Sequence, residues 1–186
     1  MKGPRETGGL LLSPVILATL QNMPDYDFRK EATIGHSWSE HVASDLLSFG
    51  VNCKASPLII VAFKDRAELE NEQDVILGEG PQCVEVKSRN LSFTDDPLSF
   101  PYSTAFIDTV SGWEKKTPPP LAVVLVSQIT RCKLVIPVSE KQSFWKTRRS
   151  YDRIRKHPDT WYEIDKSRLK KFSDFSIWLK ERFPTT

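Results

Sequence analysis

The spacing of hydrophobic and polar positions changes several times along the chain, and each change marks an element. Residues 1–9 are polar and Gly-rich and predict a flexible start, while the apolar run 10–20 predicts a short helix with Ser13 and Pro14 as cap and first-turn residue. Residues 24–35 predict a loop. From Ser37 the apolar positions take helical spacing: Trp38, Val42 and Leu46 recur at i, i+4, with Ala43 and Leu47 beside them. Ser37 is placed to cap this helix, Glu40 falls at its third position, and Gly50 stops it, which predicts a helix over 37–49.

After Gly50 the period shortens. Residues 51–63 are rich in β-branched and apolar residues and predict one or two strands, and the polar residues 64–73 predict a loop. Residues 74–77 (DVIL) and 82–88 (QCVEVKS) predict two strands of a hairpin joined by Gly78-Glu79-Gly80-Pro81. Residues 90–103 predict a loop, 105–116 a strand end or short helix, and 117–120 (TPPP) a sharp break. A second hairpin is predicted over 121–128 and 133–139, turning at Thr130-Arg131. Residues 143–183 predict mostly helix, interrupted at His157-Pro158, with Phe172, Phe175, Ile177, Trp178 and Leu179 on an apolar face of the last helix. The sum is an α/β fold, a central mixed β-sheet flanked by helices. It divides into an N-terminal segment 1–30, a core 31–140, and a basic helical segment 141–186 packing on that core.

Composition changes this picture little. A chain of 186 residues, 39% hydrophobic and 27% charged, suits one domain with a real core. No apolar run approaches the roughly 20 residues that span a bilayer. The run 10–20 contains Pro14 and lacks a basic leader followed by a small-residue cleavage site, which argues against a signal peptide and for a cytoplasmic protein without membrane partners. Cys53, Cys83 and Cys132 form no CxxC and read as buried free thiols.

Charge adds more. The net charge is +2, yet residues 141–186 carry 13 Lys and Arg against 6 Asp and Glu, and residues 1–140 carry 13 against 18. An acidic body with a basic end suits a polyanionic partner, although a solvated helix with a basic outer face gives the same count.

The candidate chemistry lies in the first hairpin. Side chains alternate along a strand, so Glu85 and Lys87 share a face, and hairpin pairing brings Asp74 toward them across eleven residues. Asp74 and Glu85, with the Val86 carbonyl, offer hard oxygen ligands to Mg²⁺ or Mn²⁺. Such an ion polarises a phosphate and acidifies bound water, and Lys87 beside it can orient or deprotonate that water or stabilise the phosphorane. An edge strand with Glu85 and Lys87 in solvent would show the same pattern.

Asp74, an apolar run, a glycine turn and Glu85-Val86-Lys87 together resemble the PD-(D/E)XK nuclease superfamily, with Gln73 where that family often has proline. The resemblance extends over roughly residues 31–140 as an order of elements. It implies a restriction-endonuclease-like core and a divalent-metal-dependent DNA endonuclease leaving 5′-phosphate, of restriction, repair or junction-resolving type. It also implies metal held by Asp74, Glu85 and Val86, water positioned by Lys87, and a further acidic ligand on the helix 37–49, which here is Glu40. Glu40 is equally explained as an acid favoured near a helix start. The alternative is a non-catalytic nucleic-acid-binding or structural module that keeps the same fold.

For the DNA itself, Ser88, Arg89 and Asn90 continue the motif strand, and Lys115 and Lys116 follow Ser111, Trp113 and Glu114. Lys146, Arg148, Arg149 and Arg153 are interleaved with aromatics in 144–156, a composition suited to phosphate contact and stacking. Asp108 is a candidate to support the site from behind, and Gln128 to face it from the next strand. No GxxxxGK[ST] loop, GxSxG elbow or HExxH helix is present. A homodimer is expected if two strands are cut at two sites.

Overall fold

A computed structural model describes residues 28–58, 73–152 and 157–185, with side chains from Ala32 onward and without that of Asp152. It is a mixed α/β structure. Helix α1 (Phe28–Ser48) is followed by strands β1 (Cys53–Ala55), β2 (Val75–Leu77) and β3 (Cys83–Arg89). Then come β4 (Thr104–Thr109), a one-turn helix α2 (Val110–Trp113), β5 (Ala122–Ser127) and β6 (Lys133–Pro137). The chain ends with a short helix α3 (Lys141–Phe144), strands β7 (Lys146–Asp152), β8 (His157–Asp165) and β9 (Lys170–Lys171), and helix α4 (Phe172–Lys180). No helix among the described residues is long and apolar enough to cross a membrane.

Six strands form the main sheet in the order β1-β2-β3-β5-β6-β9. All neighbours are antiparallel except β3 and β5, which are parallel. Parallel neighbours need a crossover, and residues 90–121 supply it. That crossover carries β4, which leaves the main sheet and pairs with β8 in a second, antiparallel sheet of order β4-β8-β7.

Two apolar layers hold the sheets. On one face, Val75, Leu77, Val84, Val124 and Val126 pack against Val42, Ala43 and Leu46 of α1 and Phe172 and Leu179 of α4. On the other, Val123, Leu125, Leu134 and Ile136 pack against Ile107 of β4, Ile164 of β8, Trp113 and the loop residues Phe93 and Phe100. All six residues of β5 are buried, which is why Ala-Val-Val-Leu-Val-Ser reads as an unbroken apolar run.

Both predicted hairpins form, as β2–β3 and β5–β6. Gly50 ends α1 as expected. At φ +83° it closes a Schellman motif, Val51 N–H donating to Leu46 O and Gly50 N–H to Leu47 O. Ser37, however, lies inside α1, nine residues after its start, and its hydroxyl donates to Ile34 O instead of capping. The predicted short helix over 10–20 and most of the loop 64–73 lie outside the described residues. Cys53 and Cys83 are buried free thiols, and Cys132 is partly exposed.

The largest correction concerns residues 143–183. In place of helix, the chain there forms β7, β8 and β9 before α4 begins at Phe172. β8 pairs with β4 and β9 with β6, so the C-terminal segment is woven into both sheets and is not a helical appendage. Of the apolar face expected for α4, Phe172 and Leu179 are buried, whereas Ile177 and Trp178 are exposed.

Ser127 closes the β5–β6 turn. Its hydroxyl donates to Leu91 O at 2.6 Å and accepts from Thr130 N–H at 3.0 Å, and the residue is fully buried. Ser127→Ala leaves a part-buried carbonyl and an amide without this partner, an expected cost of about 1–2 kcal/mol. That corresponds to a melting temperature lower by roughly 2–8 °C, read by thermal denaturation.

Candidate functional site

The motif strand is neither at an edge nor solvated. β3 sits inside the sheet between β2 and β5, and Glu85 is 6% exposed. Glu85 and Lys87 pair with Val123 and Leu125 of β5, so their side chains lie on the face covered by the second sheet. Val84 and Val86 point the other way, toward α1. The pairing of Val75 with Val84, extended by one residue, sets Asp74 opposite Glu85.

Backbone direction completes this arrangement. Cys83 O and Arg89 O accept hydrogen bonds from Leu121 and Gln128 on the β5 side, so odd residues of β3 turn their amides toward β5. Even residues turn toward β2, whose first residue is Val75. Val86 N–H therefore lies past the end of β2, and it donates to Asp74 Oδ2 at 2.6 Å. The Val86 carbonyl leaves the strand on the same edge.

Glu85 is clasped by two ammonium groups, Lys87 Nζ at 2.7 Å from Oε1 and Lys116 Nζ at 2.9 Å from Oε2. Asp108 closes the ring, its Oδ2 lying 3.2 Å from Lys87 Nζ and 3.8 Å from Lys116 Nζ. Asp108 comes from β4 and Lys116 from the turn after α2, so the crossover folds back over the motif strand and supplies half of the charges. Thr109 fixes this bend: its hydroxyl accepts from Gly112 N–H at 3.0 Å, and its own N–H donates to Asp108 Oδ1 at 2.8 Å.

The charges are unequally poised. Burial, and then the neighbouring Glu85 carboxylate, push Asp74 up to about 7, although Val86 N–H, Lys87 and Lys116 oppose the shift. Burial also resists ionisation of Glu85, but Lys87 and Lys116 outweigh it and hold that carboxyl below its usual range. Burial alone would lower Lys87; Glu85 and Asp108 reverse this and raise it above the ordinary lysine value. Asp74 is thus the group that changes protonation near neutral pH, while Glu85 stays charged.

The remaining expected residues fall in three places. Glu40 is not at the site. Its side chain is 63% exposed and pairs with His36 at 3.4 Å on α1, the helix on the opposite face of the sheet. Helical periodicity puts Val42, Ala43 and Leu46 inward, and the same rotation carries Glu40 out. Ser88 and Arg89 continue β3: the Ser88 hydroxyl accepts from Gln128 Nε2 at 3.0 Å, and Arg89 donates to Phe106 O at 3.4 Å. Lys115 is exposed beside the site. Lys146, Arg148 and Arg149 are exposed along β7, with Lys146 and Arg148 on one face and Arg149 on the other. Arg153 lies outside the described residues.

Glu114 is drawn away to Lys141 and Tyr162, at 2.7 and 2.6 Å, and Trp113 is buried against Trp145. The site's main addition is the pairing of Lys116 with Glu85. Lys116 carries no local signal for it, because the contact depends on how residues 90–121 cross the sheet.

A cation tests the donor set. Among the described residues, no three His, Cys, Asp or Glu side chains gather as ligands. Asp74, Glu85 and the Val86 carbonyl nevertheless suit Mg²⁺ or Mn²⁺, since Mg²⁺ commonly takes one or two carboxylates and keeps several waters. Burial raises Asp74 first and the neighbouring Glu85 carboxylate adds to it, and a shared cation would relieve that second, repulsive part. The chain was compared with protein-family models, with curated proteins and with solved structures, and it matches none of them.

Proposed function

We propose that this protein hydrolyses phosphodiester bonds of DNA with the help of a divalent cation, through a restriction-endonuclease-like core. The observation that carries this reading is the placement of half-buried Asp74, just before β2, opposite the buried Glu85 of β3, with Lys87 next to Glu85 on the same strand face. An acidic pair with one raised and one lowered carboxyl suits cation chemistry; a structural ion-pair ring can shift carboxyls in the same way, and cleavage separates the two. Asp74, Glu85 and the Val86 carbonyl would hold Mg²⁺ or Mn²⁺. When bound, the ion polarises the phosphate and lowers the pKa of its water.

The chain's own groups do the rest. Lys87, held firmly protonated, acts as a cation and hydrogen-bond donor and not as a base. It orients the attacking water and then shields the charge that develops on the phosphoryl oxygens. The water oxygen bonds to phosphorus and gives up a proton to solvent, the bond from phosphorus to O3′ breaks, O3′ takes up a proton from solvent, and a 3′-hydroxyl and a 5′-phosphate remain. Asp108 keeps Lys87 in place, and Lys116, which takes Glu85 Oε2, would have to yield that oxygen for Glu85 to hold a cation. The basic strand β7 supports the DNA reading through phosphate contacts that bring affinity without sequence choice.

The test is cleavage of plasmid, branched and single-stranded DNA with Mg²⁺, with Mn²⁺ and with EDTA. Cutting is expected with either metal and not with EDTA, and Lys87→Ala is expected to lower its rate about 10²–10³-fold. Wild-type protein that binds DNA but never cuts it would support the other reading, a nucleic-acid-binding module whose ion-pair ring is structural.

A further inference from the structure

Between the two sheets, next to the candidate site, lies a cleft of about 740 Å³ whose lining includes Arg89, Tyr102, Phe106, Arg148 and Trp161. We propose that this cleft takes a single unpaired nucleotide of the DNA strand, adjacent to the phosphate that is cut. The inference rests on the nuclease reading for its substrate and extends it to DNA structure.

The size suits a nucleotide, since clefts that hold small organic ligands run about 300–1,000 Å³. The lining suits its two chemistries. Phe106 and Trp161 stand with ring centres 6.1 Å apart at 58°, and Tyr102 and Phe106 are both exposed, 58% and 38%, although large and apolar. Exposed aromatic faces turned into a cleft are surfaces on which a base can stack. Both charged residues of the lining are arginines, and no Asp or Glu is among them. Arg148 lies over the Phe106 ring, 5.7 Å from its centre, and keeps only a 3.8 Å contact with Glu163. Arg89 donates to one backbone oxygen, Phe106 O. Stacking surface and anion-binding groups thus occur side by side, which matches a base with its phosphate.

Position links the cleft to the chemistry. Arg89 is two residues beyond Lys87 on the same face of β3, hence about 7 Å along the strand. A strand whose scissile phosphate meets Lys87 therefore presents its neighbouring nucleotide to Arg89 and the aromatics. A paired base has no free face to offer such a cleft, so the nucleotide must be single-stranded, bulged or flipped out.

The experiment uses fluorescent duplexes that differ by one unpaired 2-aminopurine nucleotide, with binding read by anisotropy in EDTA and cleavage read with Mg²⁺. The wild type is expected to bind the duplex with the unpaired nucleotide roughly tenfold more tightly than the paired one. It is also expected to quench the 2-aminopurine and to cut next to it. Tyr102→Ala and Arg89→Ala should each bring the ratio of the two affinities toward one, with folding checked by thermal denaturation. Equal affinities for the two duplexes, or an unquenched fluorophore, overturn the inference even if both DNAs are cut, and the nuclease reading then stands alone. Preference and quenching without cleavage uphold the cleft and overturn the nuclease. Failure to bind either DNA overturns both.

Discussion

Replacing Glu85 by glutamine is expected to lower DNA cleavage about 10³-fold or more, with no recovery at higher Mg²⁺, and to destabilise the protein as well. The functional loss follows from position. Glu85 is the carboxyl that Lys87 and Lys116 hold below its usual range, and glutamine keeps its shape while removing the charge that a cation needs. The structural loss follows from the same charge. Lys87 and Lys116 both close on this carboxylate, so its removal leaves two ammonium groups facing Asp108 alone.

Breaking a fully buried pair costs about 3–5 kcal/mol. Lys87 and Lys116 keep 26% and 18% of their side-chain surface in solvent and retain Asp108, so a smaller cost of about 2–3 kcal/mol is expected, or roughly 5–10 °C in melting temperature. The pH dependence separates this from simple misfolding. A carboxyl whose pKa is lowered by folding stabilises the fold above its unfolded pKa, and that contribution is lost as pH falls through the folded value. Wild-type and Glu85→Gln melting temperatures should therefore converge in acid and diverge toward neutrality. Equal stability across pH would show that the two lysines do not depend on Glu85, and retained cleavage would remove it from the chemistry.

The site was half legible before the fold was known, and the division follows chain separation. Asp74, Glu85 and Lys87 lie on two strands joined by a four-residue turn, so alternation and hairpin pairing suffice to bring them together. Asp108 and Lys116 reach the same point only because residues 90–121 cross from β3 to β5 and shed a strand into another sheet. No local period encodes that path. Glu40 illustrates the converse: an acid near a helix start satisfies a local rule wherever the helix packs, and α1 packs on the far face. The misread C-terminal segment has a similar cause. In 146–152, basic and aromatic residues spaced two and three apart fit a helix face or a strand equally well. Pairing settles the choice and outweighs a weak intrinsic preference: β7 pairs with β8, the next strand along the chain, and β8 is held in turn by β4, which is far away in sequence. The central strands β5 and β6 were readable because burial on both faces leaves continuous apolar runs, and β3 because its charges alternate with valines.

Asp74→Asn should separate function from stability in the opposite sense to Glu85→Gln. Folding raises the Asp74 pKa from the ordinary carboxyl value to about 7, so the folded state prefers the protonated form. Its contribution to stability is complete below the unfolded pKa near 3.8 and is lost as pH rises through about 7, where the buried group must ionise beside Glu85. Asparagine never ionises, and its carbonyl oxygen can still accept from Val86 N–H. Asp74→Asn is therefore expected to match wild type near pH 4 and to melt several degrees higher at pH 8 without added metal, while cleavage falls about 10²–10³-fold. Mg²⁺ should narrow the gap in melting temperature by stabilising only the wild type, because a bound cation favours the ionised carboxylate it needs. By the same linkage, wild-type cleavage should rise as pH passes about 7, and more Mg²⁺ should move that rise to lower pH. A variant no more stable than wild type at pH 8 would mean that Asp74 is ionised at little cost. A cleavage profile indifferent to Mg²⁺ concentration would mean that proton and cation do not compete there, and the shared-carboxylate site would have to be abandoned.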